Sequence, residues 1–367
     1  MLRGAAALMV VYFHLGEYYW KGNAYVSGYA FLQPLSLGSR PLHLTLTNWM
    51  SHDSIELGHC GVGLFFLISG FVIPFSLNKV GGLNFVIRRF FRIYPMYVAG
   101  LSLTTVSLLL SAHYSSLPFT YTAYDFAANA TLLRDVFHSV SMDKVNWTLI
   151  VEVRFYLLCV LLYYLGGLGN WKTMGVAALL LCGLNELPSF QSVPVLTPVL
   201  GLVSALFLSH ARFLVFMFIG VSFHNLFRGA WSPRIFGFMT GLFLLLFYVA
   251  LAKANGGHGI GDILKGPGRA YPLMLVLFSL CYRYRELLRP QPFLNFFANV
   301  SYPLYVIHST TGYALMALFF HWQHLSFLCF LEAFLILIFL AYLLHIYVEM
   351  PMNNLGYVLT SSKWKSR

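Results

Sequence analysis

Charge is what this 367-residue chain has least of: 10% of its residues are charged, and only 12 are Asp or Glu. Soluble globular proteins carry about 25% charged residues, so a water-soluble class is excluded. Cysteine is sparse too. Cys60, Cys159, Cys182, Cys281 and Cys329 are scattered without paired spacing, which excludes a disulfide framework and a zinc-type site, so no metal is expected. No internal repeat or low-complexity segment stands out, and no serine sits in a hydrolase-type nucleophile elbow.

What is abundant is apolar: 59% of the chain is hydrophobic, with 34 Phe and 23 Tyr. Ten apolar runs stand out, at 3–20, 60–77, 94–113, 147–165, 173–187, 212–227, 235–253, 270–284, 300–321 and 325–348. A membrane-spanning helix needs ~20 such residues. The fifth and eighth runs are short, and 193–209 offers an extra span or a re-entrant piece. The expected fold is therefore an all-α polytopic membrane protein, with about ten transmembrane helices in a single bundle and one domain over residues 1–367. The first run resembles a secretory signal but lacks a small-residue cleavage site, so it is expected to remain as a helix. No soluble domain is expected on either side of the bundle.

The net charge of +11 comes from basic residues in short connections between runs. That distribution sets topology and gives no nucleic-acid surface, so no nucleic-acid partner is expected. With ten crossings the basic bias falls on the side of the N-terminus, which puts both termini in the cytoplasm. The two longest connections, 21–59 and 114–146, then lie outside. Connections of that length tend to be functional, and these two could roof an outward-facing site.

The first run reads Met-Leu-Arg-Gly-Ala-Ala-Ala-Leu-Met-Val-Val-Tyr-Phe-His-Leu-Gly-Glu, with Arg3, His14 and Glu17 as its ionisable groups. Arg3 and His14 differ by about 20° in azimuth and about 16 Å in height on a helix, so they share one face. An ionisable side chain in a membrane helix faces the bundle interior, a partner or a wet cavity. Packing through one interhelical hydrogen bond accounts for a lone histidine equally well. Glu17, three residues on, could orient the ring and raise its basicity.

Further along stands Asn84-Phe-Val-Ile-Arg-Arg-Phe-Phe-Arg-Ile-Tyr-Pro95. On a helix Arg89 and Arg92, with Arg88, form a guanidinium fork suited to phosphate or diphosphate. Topology and contact with anionic membrane lipid account for the same arginines. Gly61, Gly63 and Gly70 in the second run permit close helix approach, and His59 stands at its mouth. Glu152 and Tyr156 lie one turn apart in the fourth run, where a carboxylate needs a partner on another helix; His14 is a geometrically possible one. Tyr305 and His308 are similarly spaced in the ninth. In the tenth, Glu349 follows His345 by one turn and suits a cap or an ion pair.

In this order, six segments resemble the acyltransferase 3 family of membrane O-acyltransferases, which includes bacterial polysaccharide acetyltransferases. They are Leu2-Arg-Gly with His14; Gly61-Val-Gly-Leu-Phe-Phe-Leu-Ile-Ser-Gly-Phe71; Arg89-Phe-Phe-Arg92; Trp147-Thr-Leu-Ile-Val-Glu152 with Phe155-Tyr156; Ser301-Tyr-Pro-Leu-Tyr-Val-Ile-His308; and Glu349-Met-Pro351. The chain departs from the family in having Gly63 where an acidic residue is usual, and Val153 and Arg154 where glutamate and glutamine are common. The leader usual before Arg3 and the appended hydrolase-like domain of some members are also missing from the sequence.

The resemblance implies transfer of an acyl group from cytoplasmic acyl-CoA to a sugar hydroxyl of a glycan or lipid-linked saccharide, such as an exopolysaccharide, outside the bacterial inner membrane. Acetyl, from acetyl-CoA, is the expected group because it is the family's commonest donor. Arg3, Arg89 and Arg92 would hold the coenzyme A phosphates; His14 would act as general base, with Glu17 or Glu152 steadying the imidazolium; Tyr156, Tyr305 and His308 would bind substrate. An acyl-histidine intermediate is the mechanistic variant. The competing classes are a transporter or acyl-export channel for a lipid-linked or acylated substrate, and an inactive scaffold. Transporters often show paired interrupted helices in corresponding halves, and no such symmetry is visible.

Overall fold

The computed structural model describes residues 1–35, 56–186, 207, 210–254, 264–323 and 326–361, and all regular structure among them is helical. Apart from residue 207, the candidate extra span at 193–209 lies outside the described residues. In chain order the helices are α1 (Leu2–Tyr12), α2 (Asn23–Ala30), α3 (Leu57–Val80), α4 (Gly82–Tyr114) and α5 (Ala123–Ala130). Then come α6 (Trp147–Leu165), α7 (Trp171–Glu186), α8 (Ala211–Phe227), α9 (Pro233–Ala254) and α10 (Pro267–Arg283). The last are α11 (Pro292–Asn299), α12 (Ser301–Ile307), α13 (Thr310–Gln323), α14 (Ser326–Leu344) and α15 (Met350–Leu359).

Apolar sequence becomes helix because, in hydrocarbon, backbone N–H and C=O groups must find partners within their own segment. Among the described residues, each of the ten apolar runs falls largely on helix. By length and composition, however, five helical stretches among the described residues can cross a membrane: Leu57–Val80, Gly82–Tyr114, Trp147–Leu165, Pro233–Ala254 and Phe327–Leu359. Trp171–Gly183 and Ala211–Phe227 are apolar but shorter. The protein is thus an all-helical membrane protein with five such spans and further apolar helices, and the figure of ten stays an expectation.

Three irregularities interrupt the apolar helices, and each carries a histidine. α1 widens into a π-type turn at Phe13–Tyr18, which holds His14. The run at 300–321 breaks at His308 and Ser309, between α12 and α13, where three successive hydroxyl side chains, Ser309 to Thr311, compete with backbone hydrogen bonding. α14 widens at His345–Glu349 before continuing as α15. Such turns are frequent at functional positions.

The chain forms two compact units, Met1–Val62 with Ile87–Asn146 and Tyr284–Arg367, and Gly63–Val86 with Trp147–Arg283. In the first, α1 lies along α11 and α12, and α13 packs on α14. Gly4 sets the first of these crossings: a Cβ there would stand 2.2 Å from the Leu294 carbonyl oxygen and 2.9 Å from the Ala298 nitrogen, both backbone atoms. Gly61 similarly lets α3 approach Ala6 and Val10 of α1. In the second unit α8 is the central rod, with 14 of its 17 residues buried. It packs on α6, α7 and α9, and meets α3 where Gly70 and Gly220 bring the two backbones together.

Replacing Gly4 with valine forces α1 off α11 and is expected to cost at least 1–3 kcal/mol, as overpacking does. Gly28→Ala, on α2 with nothing within 4 Å of the added carbon, is expected to be neutral or stabilising by up to about 1 kcal/mol. Thermal unfolding of the detergent-solubilised protein checks both. Equal behaviour of the two variants would remove the close crossing as a structural determinant.

Candidate active site

The end of α1 is the starting point. His14 sits in the π-type turn, half-buried, and its Nδ1 is 2.6 Å from the hydroxyl of Tyr313 on α13. Its ring packs edge-on against His308 at 5.0 Å and Phe13 at 5.2 Å between centroids. Arg3 lies on the same helix, half-buried, eleven residues back. Glu17, expected to orient His14, is instead bonded to Lys21 at 3.3 Å. The wide π-type turn carries residue 17 round from the direction that regular α-helix would give it. The hydroxyl of Tyr313, a residue with no local sequence signal, is the polar group the structure brings to His14.

His308 is fully buried, and its Nδ1–H donates to the Tyr305 carbonyl at 2.7 Å. The neutral ring therefore presents Nε2 as an acceptor; this atom is buried and has no hydrogen-bond partner among the described residues. The Tyr305 hydroxyl donates to the Val145 carbonyl at 3.3 Å, anchoring the segment that leads into α6 beside His308.

That segment contains Asp143, which sequence reasoning passed over. Its side chain is buried, at 1% exposure. Oδ1 accepts from the Val145 N–H at 3.1 Å, while Oδ2 is buried without a partner. Ser309 borders Asp143, Tyr29 and Tyr313, yet its buried hydroxyl has no partner of good hydrogen-bond geometry. Burial pushes the Asp143 carboxyl up to about 6; the Val145 N–H, Ser309 and Lys144 pull the other way. Its signal in the sequence was rarity, one of 12 acidic residues.

A cavity of about 510 Å³ lies beyond this cluster, its wall including Tyr19, Leu110, Leu315 and Phe320. Tyr19 stacks on Tyr313 at 6.0 Å, so aromatic rings separate the mainly apolar cavity from the polar groups round His14.

The three arginines of α4 divide. Arg88 Nε donates to Thr360 Oγ1 at 2.6 Å, and its guanidinium lies 4.6 Å over the Tyr357 ring. It ties α4 to α15. Arg89 and Arg92, one turn apart, are half-buried.

In the second unit, Glu152 accepts hydrogen bonds from Tyr156 and, at 3.1 Å, from Ser69 on α3. Its expected partner on another helix is thus a serine. Arg154 is only 2% exposed and bonds to the ring of His210. Where an acidic residue was expected, Gly63 faces the ring of Tyr271, 2.8 Å from where a Cβ would stand. Glu349, back in the first unit and expected to cap or to pair across helices, instead bonds to His345 at 2.6 Å within its own wide turn. His59 pairs with Glu56 at 2.6 Å.

Among the described residues no group of His, Cys, Asp and Glu is arranged to hold a metal ion. A family model described as an acyltransferase domain matches residues 1–347. No curated protein and no solved structure matches.

Asp143 titrates below about 4 when unfolded and near 6 in the fold. Between those values the folded state keeps a proton that the unfolded chain releases, so this group lowers stability as pH rises from 4 to 6. Asp143→Asn, neutral throughout, is expected to be more stable than the parent at pH 7 by on the order of 1–3 kcal/mol, the difference vanishing near pH 4. Thermal unfolding across that range checks it. A variant less stable than the parent at pH 7 would mean that the carboxylate is favoured in its site.

Proposed function

The chain belongs to the acyltransferase 3 family, and from that premise we propose that this membrane acyltransferase moves an acyl group, expected to be acetyl, from cytoplasmic acyl-CoA to a saccharide hydroxyl. The acceptor is a surface or secreted glycan or its lipid-linked precursor, outside the bacterial inner membrane, and both chain termini are cytoplasmic. The observation that carries the reading is the pairing of His14 with the Tyr313 hydroxyl at 2.6 Å, on the helix that also bears Arg3.

In the proposed step, His14 donates its Nδ1–H to Tyr313, which leaves Nε2 as the base. The acceptor oxygen attacks the thioester carbonyl; the C–O bond forms as the C–S bond breaks. The acceptor's proton passes to Nε2 and then to the departing sulfur, giving ester and free coenzyme A. Tyr313 and His308 position the ring, the role expected of Glu17. Arg3, Arg89 and Arg92 hold the phosphates, Arg92 being a half-buried cation with no ion-pair or hydrogen-bond partner among the described residues. Charge-assisted hydrogen bonds from guanidinium to phosphate suit that task. The ~16 Å between Arg3 and His14 is of the order that the pantetheine arm can span.

The test is the mass of surface and secreted glycans from cells with matched membrane levels of parent or His14→Ala protein. The parent is expected to add an acyl-sized increment, which identifies the group. His14→Ala should cut transfer by 10²–10⁴-fold, the usual range for a positioned general base. An increment that survives in the variant would make His14 structural and sink the mechanism. With purified protein, Arg92→Ala should raise the KM for the acyl-CoA about tenfold or more, as loss of a hydrogen bond to a charged group does. An unchanged donor KM would remove Arg92 from the donor site.

A further inference from the structure

Buried polar atoms are normally hydrogen-bonded, and each exception requires a reason. In the first unit five such atoms without partners fall on two short stretches, 143–146 and 308–310. They are Asp143 Oδ2, Asn146 Oδ1, His308 Nε2, Ser309 Oγ and Thr310 Oγ1. The stretches adjoin: Tyr305 reaches the Val145 carbonyl, and Ser309 borders Asp143. His14 stands alongside, its ring 5.0 Å from that of His308. Leaving even one of these groups dry and unpaired costs about 1–3 kcal/mol, so together they mark a place where a hydrogen-bonding group would be favoured.

The chemistry of the atoms says what. Asp143 Oδ2 and Asn146 Oδ1 are acceptors, as is His308 Nε2 in the tautomer fixed by its bond to Tyr305. Ser309 and Thr310 supply hydroxyls that can donate or accept. A ligand rich in O–H donors satisfies this set. An anion does not, because it would face the Asp143 carboxyl. The one cation beside Asp143 in the chain, Lys144, has its Nζ over the rings of Tyr25 and Tyr29 at 6.0 and 5.6 Å. The tyrosines around Asp143, namely Tyr29, Tyr97, Tyr121 and Tyr313, add aromatic surface for the apolar face of a sugar ring. The segment is also held in place, by Tyr305 on Val145 and by the Tyr121 hydroxyl reaching the Ser141 and Tyr29 carbonyls at 3.5 and 3.3 Å.

We propose that Asp143, Ser309 and His308 form the recognition pocket for a neutral saccharide acceptor, with Asp143 accepting a hydrogen bond from a hydroxyl next to the one that is acylated. The inference rests on the acyl-transfer reading and adds to it the residues that select the acceptor. Asp143 binds the acceptor; His14 handles the proton. A site built around such hydrogen bonds discriminates strongly against ligands that lack the matching hydroxyl.

The experiment uses the full-length protein in lipid nanodiscs, acetyl-CoA as donor and a set of methyl hexopyranosides as acceptor probes. Free coenzyme A and the mass of the acetylated sugar are followed. The parent is expected to acetylate at least one probe. Asp143→Asn should raise the KM for that sugar tenfold or more while lowering kcat less than threefold, the signature of lost acceptor binding. Asp143→Glu should recover part of the affinity, which a purely structural role would not give. Ser309→Ala, which leaves the carboxyl in place, should raise the same KM about threefold, and serves if Asp143→Asn does not fold. An unchanged acceptor KM in Asp143→Asn, or in Ser309→Ala where that is the variant available, overturns the proposal. So does a loss confined to kcat. A parent protein that cleaves acetyl-CoA but acetylates no hexoside overturns the saccharide assignment alone. A parent that does not cleave acetyl-CoA fails the acetyl-CoA reading of the reaction, and the pocket assignment falls with it.

Discussion

A peptide group in hydrocarbon must find its hydrogen-bond partner inside the chain, and a helix is how a single segment does this. That constraint makes every departure from regular helix informative. Where α1 widens at Phe13–Tyr18, and where the ninth apolar run breaks at His308–Ser309, backbone regularity gives way at a histidine. Such breaks persist in membrane proteins only where they are buried in protein or line a watered space. Here they come together: His14 from the first break packs on His308 from the second, and Tyr313, just past that break, bonds His14. The polar cluster is thus positioned by the same irregularities that it explains.

The i,i+4 spacing of His345 and Glu349 was visible in the sequence because it depends on neighbours along one helix. The cluster round His14 was only half legible for the converse reason. Tyr313 is one of 23 tyrosines, and nothing local distinguishes it; its role comes from a contact 299 residues away in the chain. Asp143 precedes the fourth run, where an acidic residue reads as loop surface. Burial, visible only in three dimensions, changes its meaning. Glu17 failed to reach His14 because the reading assumed ~100° per residue through a stretch that is not α-helical. Helix count was less legible, because Trp171–Gly183 and Ala211–Phe227 are apolar yet shorter than a bilayer-crossing helix.

Two of the three positions at which the chain departs from the pattern expected of its family, Gly63 and Arg154, make contacts within the second unit. Gly63 leaves room that the ring of Tyr271 occupies, and Tyr271 stacks on Phe247 at 5.5 Å with Phe216 at 4.7 Å. Aromatic packing stands where a carboxylate was expected. Arg154, a charge that an apolar helix tolerates poorly, bonds to the neighbouring His210 ring and is nearly inaccessible to solvent. Glu152 keeps Tyr156 and Ser69 as hydrogen-bond partners next to both changes. The substitutions therefore alter what surrounds the carboxylate without stripping it of partners.

Within the first unit, α1 starts with a cation, Arg3, and ends at a cluster of mostly neutral groups. On α4, Arg88 is engaged by Thr360 and Tyr357. Around the far end of α1 the groups are imidazole, hydroxyl and the buried Asp143 carboxyl, whose ionisation burial opposes, while Glu17 and Lys21 pair with each other. A polyanionic donor and a neutral polyol would not compete for the same end, since each is favoured where the other is not: phosphate by the fixed cations, sugar hydroxyls by the unpaired acceptors. In the proposed reaction the base belongs away from the arginines, because an imidazole beside them would be held deprotonated. One site would then bind through charge while the other moves a proton.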